Sequence, residues 1–458
     1  KARLSALRLP GCTASFVSED GLVMTNHHCA RGALERTNKE GEDLPNAGFF
    51  AVSLADERKV PNYFADQLVL IEDVTEEVQK AFAAGATDEE KVASRNKAIT
   101  EIQNRYNEKT GLVCTVYTFF NGGKYSLYGF KRYNDVRLVF APEEAVAFYG
   151  GDPDNFTYPR YDMDVTFYRV YGEDGKPLKT KEFFKWSAGG AKEGDPVFVI
   201  GNPGRTTRLN TVAQLEFARD YSYRAMLEGL KKMESLVTAY VAAHPEKKGK
   251  YQNQLFGLGN SRKVVNGMVE GLHNPVILAK KRDFERTLQD AVMKRADLKA
   301  KYGTIWSDIE VCQRQKADIF PMYSAFQFSG LGRSSTMTLA YNLVRFAGTV
   351  SRPEAERPKD MQGEGLEKAK ARLAGTSIER ELDEQILASQ LESMKTAFGG
   401  ANAEFNALLG SDTPTAAAKR LMNSTVLTDP EKVKDLLENA PLAILSSGDP
   451  FLSFVVKA

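Results

Sequence analysis

The sequence predicts an α+β protein, with a β-rich module over residues 1–207 and an all-helical block over 208–458. Three observations predict it. Short runs rich in Val, Tyr, Phe and Leu recur between residues 13 and 172, a composition that suits pleated, half-buried strands. From about residue 208 the apolar positions change to helical spacing. Beyond that point almost nothing reads as a strand. The chain has 458 residues, 42% hydrophobic and 26% charged, the balance of a folded globular protein rather than a disordered one.

The elements follow in order. Residues 13–18 (TASFVS) and 21–26 (GLVMTN) flank Glu19-Asp20-Gly21, and Asp-Gly is a strong hairpin-turn signal. QLVLIED at 67–73 is a further strand. A charged helical excursion occupies about 74–109. LVCTVYTFF, YSLYGFKRY and DVRLVFA return the chain to β structure, with Asn121-Gly122-Gly123 turning between the first two. DVTFYRVYG at 164–172 and GDPVFVIGNPG at 194–204 complete the module, the latter expected as a buried apolar strand. Among the helices, Met226, Leu230, Met233, Val237 and Tyr240 form an amphipathic stripe. Asn274-Pro275 caps a helix expected to run to about Gly303. Thr376 with Glu379 reads as a capping box, and Gly399-Gly400 closes that helix. The chain starts at Lys1 without Met, and only eight residues follow Pro450, a good helix start; both ends read as cut.

Composition excludes several functions. Lys and Arg number 61 against 60 Asp and Glu, so no general nucleic-acid surface is expected. No apolar run approaches the roughly 20 residues that span a bilayer. There are four cysteines and four histidines and no CxxC motif. His27, His28 and Cys29 are adjacent on an extended segment and point to alternate faces, so they do not converge on one ion. Neither a metal nor another cofactor is expected.

The His pair has two remaining readings: a structural histidine satisfied by backbone, or a general base. Cys12 and Cys29 stand at the two ends of the hairpin, which antiparallel pairing brings together, so a disulfide between them is expected. A His base needs an acid that fixes its tautomer. In trypsin-like serine peptidases, which this hairpin resembles, the acid is an Asp that opens a strand of alternating apolar residues. That resemblance implies Asp164 rather than Asp162, which lies on the approach loop.

This arrangement resembles the first hairpin of trypsin-like serine peptidases, where a strand ends in a His followed by a bridged Cys. By that match the base is His28 rather than His27. GCTASFVSEDGLVMTNHHC, the IEDVTEEV segment, DNFTYPR and GDPVFVIGNPG together resemble the bacterial dipeptidyl-peptidase family of serine peptidases. The resemblance implies a trypsin-like double β-barrel, its second barrel incomplete here, with a large helical domain inserted and covering the active-site cleft. It implies release of dipeptides from the free N-termini of peptide substrates, a periplasmic or secreted location, and a homodimer as a compatible assembly. It places Asn260, in Asn260-Ser261-Arg262-Lys263, at the substrate's α-ammonium, with Asn266 as the fallback. Phe156 stands where the family carries Trp, so it keeps a ring face but loses the indole donor.

The expected nucleophile is missing. Ser329, Ser334, Ser335, Ser446 and Ser447 lack the Gly-rich turn that builds an oxyanion hole. The resemblance puts the serine beyond Ala458. The alternative is a non-catalytic, peptide-binding relative that lacks it.

Overall fold

Alternation of apolar side chains along residues 6–171 builds a ten-stranded antiparallel sheet in the computed structural model, which describes residues 1–202, 207–330, 332–358 and 361–458. The chain divides into two units, Lys1–Leu209 and Asn210–Ala458.

The strands of the first unit are β1 (Ala6–Leu9), β2 (Cys12–Phe16), β3 (Leu22–Thr25), β4 (Phe49–Phe50), β5 (Arg58–Lys59), β6 (Ala65–Asp73), β7 (Val113–Phe119), β8 (Lys124–Tyr133), β9 (Asp135–Ala141) and β10 (Thr166–Tyr171). Their order is β4-β9-β10-β3-β2-β1-β6-β8-β7, with β5 also on β9. The period-two pattern explains the core: Leu7, Leu9, Phe16, Val23, Leu138 and Tyr168 all point inward and are buried. Arg8 and Arg132 reach across from β1 and β8 to the fully buried carboxylate of Asp66 on β6, at 2.7 and 2.8 Å. Their guanidinium groups lie over Phe130 and Phe64, so the ion triad pins three strands without leaving a charge unpaired.

The helices Thr75–Ala83 and Asp88–Thr110 pack on β7 and β8 around Val78, Ile102 and Leu127. The second helix does more than cover apolar surface. Asn107 Oδ1 accepts from the Cys114 backbone N–H and Gln103 Oε1 from that of Val116, both at 2.8 Å. Two orphan donors of the sheet's edge strand are thereby satisfied by side chains one helical turn apart.

The second unit is helical throughout its described residues, with its larger core built from Met337, Leu343, Leu391, Phe405, Leu421 and Phe451 among others. Its Tyr223–Ala243 helix buries Leu230, Met233, Val237 and Tyr240, as their spacing predicts; Met226 is half exposed, and Leu227 is buried instead.

Three expectations are corrected. Residues 194–200 form no strand, and Val197, Phe198 and Val199 are exposed. A strand needs a neighbour's backbone groups as well as an apolar composition, and none among the described residues pairs with this segment. Pro203 and Gly204 of the same motif lie outside the described residues. The helix begun at Pro275 stops at Met293, and a new one runs Ala296–Tyr302 after an extended Arg295; no Gly or Pro marks the break. The Thr376/Glu379 box does not form. Glu379 is instead held by Lys247 and Lys250 at 3.0 and 3.1 Å, and the Arg380–Phe398 helix starts after it. Gly399 does close that helix in the left-handed conformation.

Candidate active site

Strand β3 ends at Thr25, and a single 3-10 turn, His27–Cys29, follows. The β2–β3 hairpin pairs Ser15 with Met24 and Phe16 with Val23, and the Ser18 hydroxyl accepts from the Asp20 and Leu22 N–H groups to hold its turn. Cys12, at the start of β2, is bonded to Cys29, with Cα atoms 6.1 Å apart. The turn is thus tied to the sheet on both sides of the imidazoles.

The two histidines have opposite environments. His28 is exposed, and its Nδ1 lies 2.7 Å from Asp164 Oδ2. Its backbone N–H donates to Asp164 Oδ1 at 2.9 Å. Asn26 Nδ2 donates to the Asp164 carboxylate and to its carbonyl, both at 3.1 Å. Burial opposes charge on Asp164, but the His28 ring, the His28 backbone and the Asn26 amide outweigh it and hold the carboxyl below its usual range. An ionised Asp164 on Nδ1 fixes the tautomer that leaves Nε2 as the basic nitrogen.

His27 is 1% exposed, and neither of its ring nitrogens has a hydrogen-bond partner of good geometry among the described residues. Burial, then the nearby Arg31, push its pKa down; the Asp164 charge and the Pro142 carbonyl offset this only in part. His27 is therefore a neutral, buried ring, removed from solvent.

Asp162 does not reach the imidazole. Its carboxylate sits 2.9 Å from Arg160 Nε. Arg160 also donates to Asn155 Oδ1 at 3.1 Å and, with Arg31, flanks the Phe148 ring at 5.3 and 5.0 Å. Between Asn155 and Arg160 the loop carries Phe156, 64% exposed and at φ +66°, a conformation that a bulky residue rarely adopts. The Arg160 clamp holds that loop. Asn26, Asn155 and Arg160 were not singled out in the sequence. Asn26 had a signal, since it lies two residues before His28 in TNHHC.

In the helical unit, Asn260 is exposed near the middle of the Lys248–His273 helix. Asn266, on the same helix, donates to Glu270 at 2.8 Å. Among the described residues no serine hydroxyl is hydrogen-bonded to the His28 ring. Ser334 instead donates to the buried Asp383, and Ser447 accepts from the Asp449 backbone. Cys12, His28 and Cys29 offer atoms within 4.8 Å of one another, but the two sulfurs are bonded together and neither is the thiolate a metal requires.

Comparison with known proteins gives this geometry a family. The chain is 30% identical over 468 aligned residues to the Asp/Glu-specific dipeptidyl-peptidase of Shewanella putrefaciens, spanning 97% of this chain and 62% of the relative. It is 30% identical to dipeptidyl-peptidase 7 of Porphyromonas gingivalis over 67% of this chain and 44% of that one. The chain thus spans less than two thirds of the length of these relatives. The crystal structure of Porphyromonas endodontalis DPP11 with the dipeptide Arg-Glu superposes with a TM-score of 0.77 at 19% identity, over 99% of this chain and 67% of that one, a likeness of fold. The model of the Peptidase S46 family matches residues 1–458, and the chain belongs to that family.

Proposed function

We propose that this chain carries the base and acid of a serine exopeptidase that releases dipeptides from the free N-termini of peptides. The observation that carries the reading is the contact of 2.7 Å between His28 Nδ1 and Asp164 on the disulfide-anchored turn. His28 Nε2 takes the proton from a serine hydroxyl as its oxygen bonds to the scissile carbonyl carbon. Asp164 stabilises the imidazolium so formed, and His28 returns the proton to the leaving amine. Water then repeats the proton transfer through His28 and frees the dipeptide. The serine belongs to sequence outside these 458 residues: no described serine bonds the imidazole, and the Shewanella relative is longer than this chain. The architecture for this reading is a trypsin-like double barrel with the helical unit as its insertion.

Chain-end selection rests on Asn260, whose amide oxygen accepts from the substrate's α-ammonium without burying a second charge. In the first unit Phe156 offers a ring face to substrate, and the strained backbone at φ +66° supports a positioned role for this loop. Relatives named Asp/Glu-specific and relatives named dipeptidyl-peptidase 7 match about equally well, so no side-chain preference is carried over. A periplasmic or secreted location fits the Cys12–Cys29 bond, which forms in oxidising compartments.

The test compares wild type, His28→Ala and Asp164→Asn in the protein read from the full coding sequence, with a dipeptidyl anilide bearing a free amino terminus. Both variants are expected to keep their fold and to lose activity, Asp164→Asn by about 10⁴-fold in kcat. Wild-type rates in either variant would rule out the dyad.

A further inference from the structure

We infer that the helical unit holds a second ligand site, a cleft that binds a small carboxylate with an apolar body. The cleft has a volume of about 560 Å³. It lies among the Tyr223–Ala243, Ile305–Ala325 and Arg380–Phe398 helices and the loop that precedes Ser335–Val350. It shares no residue with His28, Asp164, Asn260 or Phe156.

Two polar groups in its wall lack the partners that their burial calls for. The Arg333 guanidinium donates one hydrogen bond, to the Ser324 carbonyl at 2.8 Å. No carboxylate among the described residues pairs with its guanidinium, and burial pulls its pKa below the ordinary value with nothing to restore it. Arg333 is partly buried, and an anionic ligand in the cleft supplies the counter-ion that its guanidinium lacks among the described residues. Gln390 is 2% exposed. Its Oε1 accepts from the Ser334 backbone N–H at 3.0 Å, which fixes the orientation of the amide, because the flipped form would set an NH₂ against an N–H. The Nε2 that remains is buried with no acceptor among the described residues. The Arg333 guanidinium presents the charge-assisted donors that a carboxylate takes, and Gln390, through the Ser334 N–H, holds the chain next to it.

The rest of the lining sets the ligand's body. Met226, Met233, Phe320, Tyr323 and Ile386 supply the apolar and aromatic surface that a hydrocarbon side chain needs. Glu228, also in the lining, is paired with Lys231 at 3.3 Å, and Lys232 adds a second cation to the lining. The apolar and aromatic lining suits a carboxylate on a hydrocarbon body better than inorganic phosphate.

The experiment titrates this chain by calorimetry with N-acetylleucine and, separately, with its amide and with inorganic phosphate. Saturable binding of the acid is expected, with a dissociation constant on the order of 1 mM for so small a ligand. The amide should bind at least tenfold more weakly, as should the acid to Arg333→Gln, from loss of the charge-assisted bond. Failure of the acid to bind, equal binding of acid and amide, or tighter binding of phosphate would each overturn the proposal. Because acid and amide are compared on the unmodified chain, the answer does not depend on the variant's fold. The acetyl group removes the free amine required for chain-end recognition, so the outcome is separable from the peptidase reading.

Discussion

The hydrogen bonds to Asp164 among the described residues come from Asn26 and His28, and with the Cys12–Cys29 bond beside them they fix the imidazole. Asn26 is the adjustable part. Asn26→Ala removes one donor from the carboxylate and leaves the His28 contacts, so kcat in the complete enzyme should fall by about tenfold, well short of the loss on Asp164→Asn. His27 makes the opposite contribution. Its pKa is depressed in the folded chain from 6.5, so the unfolded state binds more protons as pH drops below 6.5. Asp164, also depressed, adds to the loss at lower pH, below its unfolded value of 3.8. Stability should therefore decline as pH falls from 6.5 to 5, as urea midpoints would show. His27→Leu should flatten that decline; an unchanged slope would mean that His27 is not the titrating group. For Asn260, Asn260→Ala in the complete enzyme should cost about 10- to 150-fold in kcat/KM on a free-amine substrate, from losing a hydrogen bond to a charged group. Wild-type rates would move the role to Asn266.

At the scale of elements, the hairpin, the edge strand and the capped helix each stand on a few side-chain contacts. The Cys12–Cys29 bond closes a loop with a sequence separation of 17. Replacing both cysteines with Ser should destabilise the first unit by about 3 kcal/mol in the chain-entropy account, measured by urea unfolding. In the helical unit, Asp383 accepts from the Ser334 and Thr336 hydroxyls and from the Ser335 and Thr336 N–H groups, and it is 2% exposed. Asp383→Ala leaves those donors stranded at the start of the Ser335–Val350 helix and should cost about 3–5 kcal/mol. A loss below 1 kcal/mol would show that water replaces the carboxylate. The elements also show what local sequence can carry. The Asp20-Gly21 turn and the Asn121 turn were legible because their residue types have few other uses. The 194–200 segment was misread because pairing is a property of two segments, and only one was in view. The box at Thr376 failed because two lysines more than a hundred residues earlier compete for Glu379.

For the molecule as a whole, packing divides the chain into Lys1–Leu209 and Asn210–Ala458. The His28–Asp164 pair was legible because a strand-end His-Cys and an Asp-led strand are each distinctive, even 136 residues apart. Asn155 and Arg160 were not, since an Arg that clamps a loop looks like any surface Arg until Asn155, Asp162 and Phe148 are seen around it. The Arg333 cleft was invisible for the same reason, because it is defined by partners that are missing rather than by residues that are present.

The central claim is that this chain supplies the base and the chain-end recognition of a dipeptide-releasing serine peptidase. Product analysis by mass spectrometry tests it most directly. A tetrapeptide with a free N-terminus and its N-acetylated form are each incubated with the protein read from the full coding sequence. The account predicts release of the N-terminal dipeptide from the free form, none from the acetylated form, and none from either with His28→Ala. Equal cleavage of the two peptides, or cleavage that survives His28→Ala, would contradict it.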